Sequence, residues 1–368
     1  MKYLKKTPLI ISFLSFITFI TSVNADVKVV ASIKPIHSLA SYLMDGVGKP
    51  DLIVDGYASP HGFAMKPSHA KMLQEADLIF WVGEDLEAFL EKPLKSIAKK
   101  AEKIELMATK NLNVLKFRER NIFDEHDHDD HGHDDHAKKK DDHDDHDDHD
   151  HDKKAKKDDD HDHDHETTKK KDDHDHDHDS HAKKEDGHDD HDDHDGHHHG
   201  EFDPHIWLDP INAKAILNEM VEHLIENDAA NASIYKKNLD KALNELDKLT
   251  MNVMTDLNKS TASIVFHDAY QYFETSFGLN AVGSVALEGD VASSPKQISF
   301  IKDKIVKLKA SCVFQEPQFD SKLVKIVVEG TNAQIGTLDP LGVNIKSEEN
   351  FYLQLLKNMA KSLKDCLG

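Results

Sequence analysis

The chain has 368 residues, 46 basic and 69 acidic side chains, a formal net charge of −23 at neutral pH and two cysteines. One segment, 124–200, is built almost wholly from His, Asp and Lys and holds 22 of the 28 histidines, 33 of the acidic residues and 12 of the basic ones. The rest of the chain is close to neutral, so the acidity describes one insert, and no basic surplus points to a nucleic-acid partner.

Lys2, Lys5 and Lys6 precede the apolar run PLIISFLSFITFI, and SVNA follows with Val23 and Ala25 at small-residue cleavage positions. This pattern predicts a secretory signal peptide over 1–25, cut after Ala25. The apolar run is short for a membrane span of about 20 residues, and no Cys stands at the cleavage position to carry a lipid. An exported, periplasmic protein is expected. In an oxidising compartment Cys312 and Cys366 read as one disulfide, the other reading being two buried free thiols.

The first half then alternates. VKVVASI reads as a buried strand, HSLASYLMDG as a helix ending on Gly46, and DLIV as a short strand before the loop DGYASPHGF. PSHAKMLQEA is helical, DLIFWVG a strand and LEAFLEKPLKSIAKKA a helix. Short strands alternating with helices predict a parallel sheet with helical crossovers. The 124–200 tract has too few apolar residues to offset the entropy of ordering it and reads as a disordered, solvated loop.

Beyond DPHIWLDP a helix is expected through INAKAILNEMVEHLIEN, and the segment from Ala229 to Asn258 has no Gly or Pro. There Ile234 is followed by Leu239, Leu243, Leu246, Leu249, Val253 and Leu257, which recur at spacings of threes and fours, as on one face of a long helix. The second half repeats the grammar of the first. ASIVF, NAVGSVAL, SCVFQEPQF and AQIGTLDPLG carry strands, separated by the helices QYFETSF, SPKQISFIKDKIVKLKA and SKLVKIVVEG. The expected fold is α/β, with two pseudo-symmetric lobes of parallel sheet joined by one long backbone helix. The expected division is a leader at 1–25, an N-terminal lobe at 26–228 holding the insert, a linking helix at 229–259 and a C-terminal lobe at 260–368.

Six histidines lie outside the tract. His37, His69 and His223 sit in or at the start of helices and read as ordinary hydrogen-bonding residues. His61 follows the strand DLIV, His267 is the first residue beyond ASIVF, and His205 precedes the turn IWL, while Asp339 ends AQIGTL. In open α/β sheets ligands bind beyond the carboxyl ends of the strands. Three imidazoles and a carboxylate converging there between two lobes suit a divalent transition metal, zinc first.

The stretches ASIKPIHSLA, PHGFAMKPS, ADLIFWVGEDLEAFLEKPL, DPHIWLDP, VFHDAYQYF, CVFQEPQF and GTLDPLG, with the His/Asp-rich insert between the third and fourth, run through nearly all of the chain beyond the leader. On them the chain resembles the solute-binding proteins of zinc ABC transporters, the ZnuA type. The resemblance implies His61, His205 and His267 as metal ligands, a Cys312–Cys366 disulfide and a metal cleft between the lobes. It also implies that the protein is a monomer and not an enzyme, delivering Zn2+ to an inner-membrane permease driven by a separate ATPase subunit. Many zinc members carry Glu just before the first ligand His; here that residue is Pro60. The fourth donor is then Asp339, a water or a group from the tract, with Asp339 preferred. Manganese-binding relatives typically have Glu where this chain has His267, and imidazole favours zinc over manganese.

The tract reads as a many-site, low-affinity metal collector, because an unordered chain must lose entropy for every ion it wraps. The alternatives are a periplasmic metal buffer or store, transport of manganese or nickel, and a zinc hydrolase. A hydrolase needs a general base beside the metal, and no HExxH pairing is present. No GxxxxGK[ST] stretch occurs for ATP either.

Overall fold

A computed structural model describes residues 27–118, 200–257, 262–279, 281–285, 294–345 and 350–368. The expected leader at 1–25 lies outside the described residues, as does the insert apart from Gly200.

The chain opens with β1 (Val29–Ile33), α1 (Lys34–Leu43), β2 (Asp51–Val54), α2 (Pro67–Glu75), β3 (Leu78–Trp81), α3 (Glu84–Ser96) and β4 (Glu102–Glu105). β1 and β3, VVASI and LIFW, are buried at every position, as central strands of a parallel sheet covered on both faces must be. The sheet order is β2-β1-β3-β4, all parallel, with Val30 of β1 opposite Asp51 on one side and Ile79 on the other. α1 takes Pro35 in its first turn, where the missing N–H costs nothing, and buries Ile36, Leu39, Ala40 and Leu43.

α4 (Pro210–Asn227) starts on a Pro behind an Asp cap, and a 3-10 turn at Ala229–Asn231 leads into α5 (Ala232–Asp256). The long helix is therefore 25 residues, or about 37 Å. It begins three residues later than expected, because 229–231 are taken up by the 3-10 turn and Asn231, with φ −100° and ψ 10°, is the residue that precedes the helix. α5 packs on α1, on α4 and on the last helix, α9 (Phe351–Leu367).

The second half comprises β5 (Ser263–Val265), α6 (Gln271–Phe277), β6 (Ala281–Ser284), α7 (Pro295–Lys307), β7 (Cys312–Gln315), α8 (Lys322–Val328) and β8 (Gln334–Thr337), then α9. Its sheet, β6-β5-β7-β8, is parallel and repeats the strand order of the first. The fold is thus two α/β lobes of matching topology. Two elements go beyond the expected set, the edge strand β4 and the terminal helix α9. Cys312 and Cys366 form a disulfide, with Cα atoms 6.0 Å apart, tying the start of β7 to the last turn of α9.

One apolar core runs from the first sheet through α1, α4 and α5 to α6, α9 and residues Cys312 and Phe314 of β7. A smaller cluster, including Ile264, Ile301, Ile305, Val313, Val324 and Val327, fills the opposite face of the second sheet under α7 and α8. Ligands in open α/β sheets bind beyond the carboxyl ends of the strands, and the loops after β2 and β5 both lie at such ends.

Candidate metal centre

His61 lies in the loop after β2, and His267 two residues past β5. His205 precedes a 3-10 turn at Ile206–Leu208 that feeds into α4. These three separate pieces of chain bring one ligand atom from each histidine to within 4.8 Å of the other two. That limit admits the edge of about 3.4 Å expected for a tetrahedral site with zinc–nitrogen bonds of about 2.1 Å. The ring centroids stand 5.4 Å (His205–His267), 5.5 Å (His61–His205) and 6.0 Å (His61–His267) apart. His205 and His267 are buried and His61 is exposed, so the group opens to solvent on the His61 side.

Two of the rings stand on buried carboxylates. His267 Nδ1 is 2.6 Å from Glu316 Oε1, and His205 Nδ1 is 2.7 Å from Asp203 Oδ1, which also accepts the His205 backbone N–H at 2.9 Å. A carboxylate only accepts, so the neutral ring carries its proton on Nδ1 and keeps the Nε2 lone pair for a metal. His267 Nε2 is buried and has no hydrogen-bond partner among the described residues, which fits a donor waiting for an ion. Burial pulls the His267 pKa down, but the charge and hydrogen bond of Glu316 together with the negative fields of Asp268 and Asp203 outweigh it, and the net direction is upward.

The space between the rings is a cavity of about 10 Å³, which suits one ion or water and not an organic substrate. Trp207, Phe319, Pro340 and Leu341 make most of its wall apolar, and Ser59 and Pro60 line the His61 side. A dry wall strengthens the coordination it encloses and slows exchange with water.

Asp339 is not part of the group that converges within 4.8 Å. It follows β8 and its Oδ1 accepts Gln318 Nε2 at 3.0 Å, so it neighbours the cavity through Gln318, which does line it. Burial raises its pKa, against the hydrogen bonds from Gln318 and from the backbone at 341, 342 and 344. The other histidines are engaged locally. His37 Nε2 contacts Pro50 O at 2.9 Å, and His69 Nδ1 accepts the Lys66 N–H at 3.2 Å at the start of α2. His223 stands among carboxylates on α4, 2.8 Å from Glu102 and 3.3 Å from Glu219. With Glu102 and Glu226 it forms a second group of ligand-type atoms, its Nδ1 lying 2.8 Å from Glu102 and 3.7 Å from Glu226.

Sequence reading placed the three histidines and missed their supports, Asp203 and Glu316. Asp203 could have been found from its spacing, two residues before His205. Glu316 is 49 residues from His267 and meets it only because β5 and β7 are neighbours in the sheet.

The family model described as zinc-uptake complex component A, periplasmic, matches residues 29–366. The chain belongs to that family. It is 43% identical over 342 residues to the high-affinity zinc uptake system protein ZnuA of Brucella suis biovar 1, covering 92% of this chain and 91% of the relative. Among solved structures it resembles a crystal structure of ZnuA with a TM-score of 0.65 at 18% identity, covering 94% of this chain and 100% of the other. It also resembles a zinc-bound deletion variant of ZnuA, TM-score 0.63 at 18% identity, covering 93% and 99%. At such identities the structural likeness speaks for the fold, and the family and the Brucella relative speak for a transport component. No helix of the described residues is long and apolar enough to cross a membrane.

Proposed function

We propose that this chain captures Zn2+ outside the cytoplasmic membrane with His61, His205 and His267 and hands it to a membrane permease powered by a separate ATPase. The observation that carries this reading is the convergence of three imidazoles from three parts of the chain, two of them held by Asp203 and Glu316 with Nε2 left free. Three nitrogens around a small, largely apolar cavity favour zinc over the harder manganese. The bond between Gln318 and Asp339 favours water in the fourth position, with Asp339 as the donor once Gln318 lets go. The chemistry proposed is reversible coordination, with no bond made or broken in a substrate. The protein is proposed to work as a periplasmic monomer, sent there by the leader at 1–25. The lobes are proposed to divide as the sequence suggests, at 26–228 and 260–368 around the helix at 229–259.

Single replacements of His61, His205 and His267 by Ala test the site by competition with a zinc chelator. Each is expected to weaken the tightest zinc by more than about a hundredfold, since loss of a supporting group alone typically costs ten- to a hundredfold. His267→Glu is expected to weaken zinc and narrow its advantage over manganese without reversing it. Wild-type affinity in all three Ala variants would place the zinc elsewhere.

A further inference from the structure

Behind the metal group, the pieces of chain that carry the ligands are tied to one another. Residues 115–118 run antiparallel to 201–203. Lys116 bridges Phe202, Phe117 N–H donates to Glu201 O at 3.2 Å, and Asp203 N–H donates to Leu115 O at 2.9 Å. This ribbon presents Asp203 and, two residues on, His205. Facing it are the loop that holds His267 and the helix α6. Gln271 Nε2 donates to Lys116 O at 3.0 Å and to Asp203 Oδ2 at 3.2 Å. Tyr272 OH donates to Asp203 O at 2.7 Å and accepts the Leu115 N–H at 3.1 Å.

Arg118 closes this interface with charge. Its Nη2 lies 2.6 Å from Glu274 Oε2 on α6, and its Nε lies 3.5 Å from Asp268 Oδ2, on the residue after His267. The Arg118, Asp268 and Glu274 side chains are only 20%, 27% and 9% exposed. Glu274 Oε2 also accepts the Ala281 N–H at 3.2 Å, which fixes the carboxylate. Asp203 adds its negative field from the ribbon side. Without the guanidinium, Asp203, Asp268 and Glu274 would face one another with little water between them.

We propose that Arg118 is a positioning residue that holds the His205 ribbon against the His267 loop and thereby sets how fast a captured metal ion leaves. The proposal rests on the three-histidine reading above. An ion bound to His205 and His267 bridges the two pieces of chain, and its escape needs one ligand to lift from the other. The ribbon's other contacts to α6 are neutral or single-charge hydrogen bonds, and its Lys116–Glu201 ion pair is exposed and internal to the ribbon, whereas the Arg118 contacts pair opposite charges in a part-buried setting. Removing one partner of such a pair leaves the others desolvated and repelling, which opens the interface. The effect falls on release, because each ligand keeps its own support and the ion can still be met. Changes within one interface commonly act on dissociation more than on association.

The experiment is stopped-flow zinc release from the full chain into excess chelator, following the slowest phase, with association measured in parallel. The proteins are wild type, His205→Ala, Arg118→Met, Arg118→Lys, Glu274→Gln and the double variant Arg118→Met/Glu274→Gln. Arg118→Met is expected to release zinc at least about tenfold faster, with association changed by less than about threefold and one tight zinc per chain retained. Arg118→Lys, which keeps the charge and loses the fork, is expected to fall between. The double variant is expected to be no faster than Arg118→Met, since the Glu274 charge, the nearest of those left unpaired, is gone. Release from Arg118→Met within twofold of wild type, or additive effects in the double variant, would overturn the proposal. Should Arg118→Met not fold, Arg118→Lys and Glu274→Gln carry the test, and wild-type release in both overturns it. A slow phase that survives in His205→Ala overturns the three-histidine reading itself; one lost there but indifferent to Arg118 overturns this proposal alone.

Discussion

Glu87 sits inside α3 at a kink, with φ −124° and ψ 49°, and its carboxylate turns back to accept the N–H groups of Val82 (2.8 Å) and Gly83 (3.2 Å) at the end of β3. Burial pushes its pKa from 4.5 up to about 7, against the downward pull of those amides. A carboxyl raised in the folded state keeps its proton while the unfolded chain ionises. Stability is then full below about 4.5, falls as pH rises toward about 7, and is lowest above it. The loss amounts to roughly 3 kcal/mol at most. Glu87→Gln keeps an acceptor for both amides and has no charge to bury. Urea unfolding at about pH 5 and about pH 8 should show the variant gaining on wild type as pH rises; a constant gap would mean Glu87 is ionised in the folded protein. Residues of this kind mark the limit of what the sequence discloses. That His61, His205 and His267 come together was legible from their places near strand ends and from the resemblance. The roles of Glu316 and Arg118 depend on which loops meet, and the bond from Gln318 to Asp339 is likewise a contact that only the folded chain shows.

Asp209 serves three elements at once. As the cap of α4 it accepts the Ile211 N–H at 2.7 Å, its Oδ1 also accepts Ser276 Oγ of α6 at 2.9 Å, and Oδ2 accepts Asn113 Nδ2 at 3.4 Å. It is 1% exposed. Replacing an ordinary cap by Ala costs about 0.5–2 kcal/mol, and buried partners left without an acceptor add to that. Asp209→Ala should therefore lose about 2–4 kcal/mol in denaturant unfolding while Asp209→Asn loses less. Equal losses in the two would assign the effect to charge and not to capping. Most elements were readable from the same local chemistry: Pro at helix starts, Gly278 in the left-handed region (φ 67°) at the end of α6, and apolar runs for β1 and β3. β4 escaped because EKIE has one buried position in four and forms a sheet edge, where tertiary pairing decides. The spacing of Tyr352, Leu355, Leu356, Met359 and Leu363 was there to be read for α9, but what that face covers was not.

Across the whole molecule, the Cys312–Cys366 bond fastens α9 to the second sheet over a separation of 54 residues. In the chain-entropy model a loop of that size is worth about 4 kcal/mol. Reduction should lower the melting temperature, yet leave zinc affinity within about threefold, since neither sulfur is among the ligand group. Loss of zinc on reduction would show that α9 positions the site. That helix also reaches back across the fold. Tyr352 N–H donates to Ser38 Oγ of α1 at 3.1 Å, its hydroxyl donates to Trp207 O, and Lys34 Nζ donates to Ile345 O at 3.4 Å. The first helix of the described residues is thus tied to the last, over a separation of 314 residues. Contacts so distant in sequence form late. During synthesis the part of α1 that α9 covers stays open after β1, α4 and α5 are already in place, so docking of the C-terminal helix is the step that closes the fold.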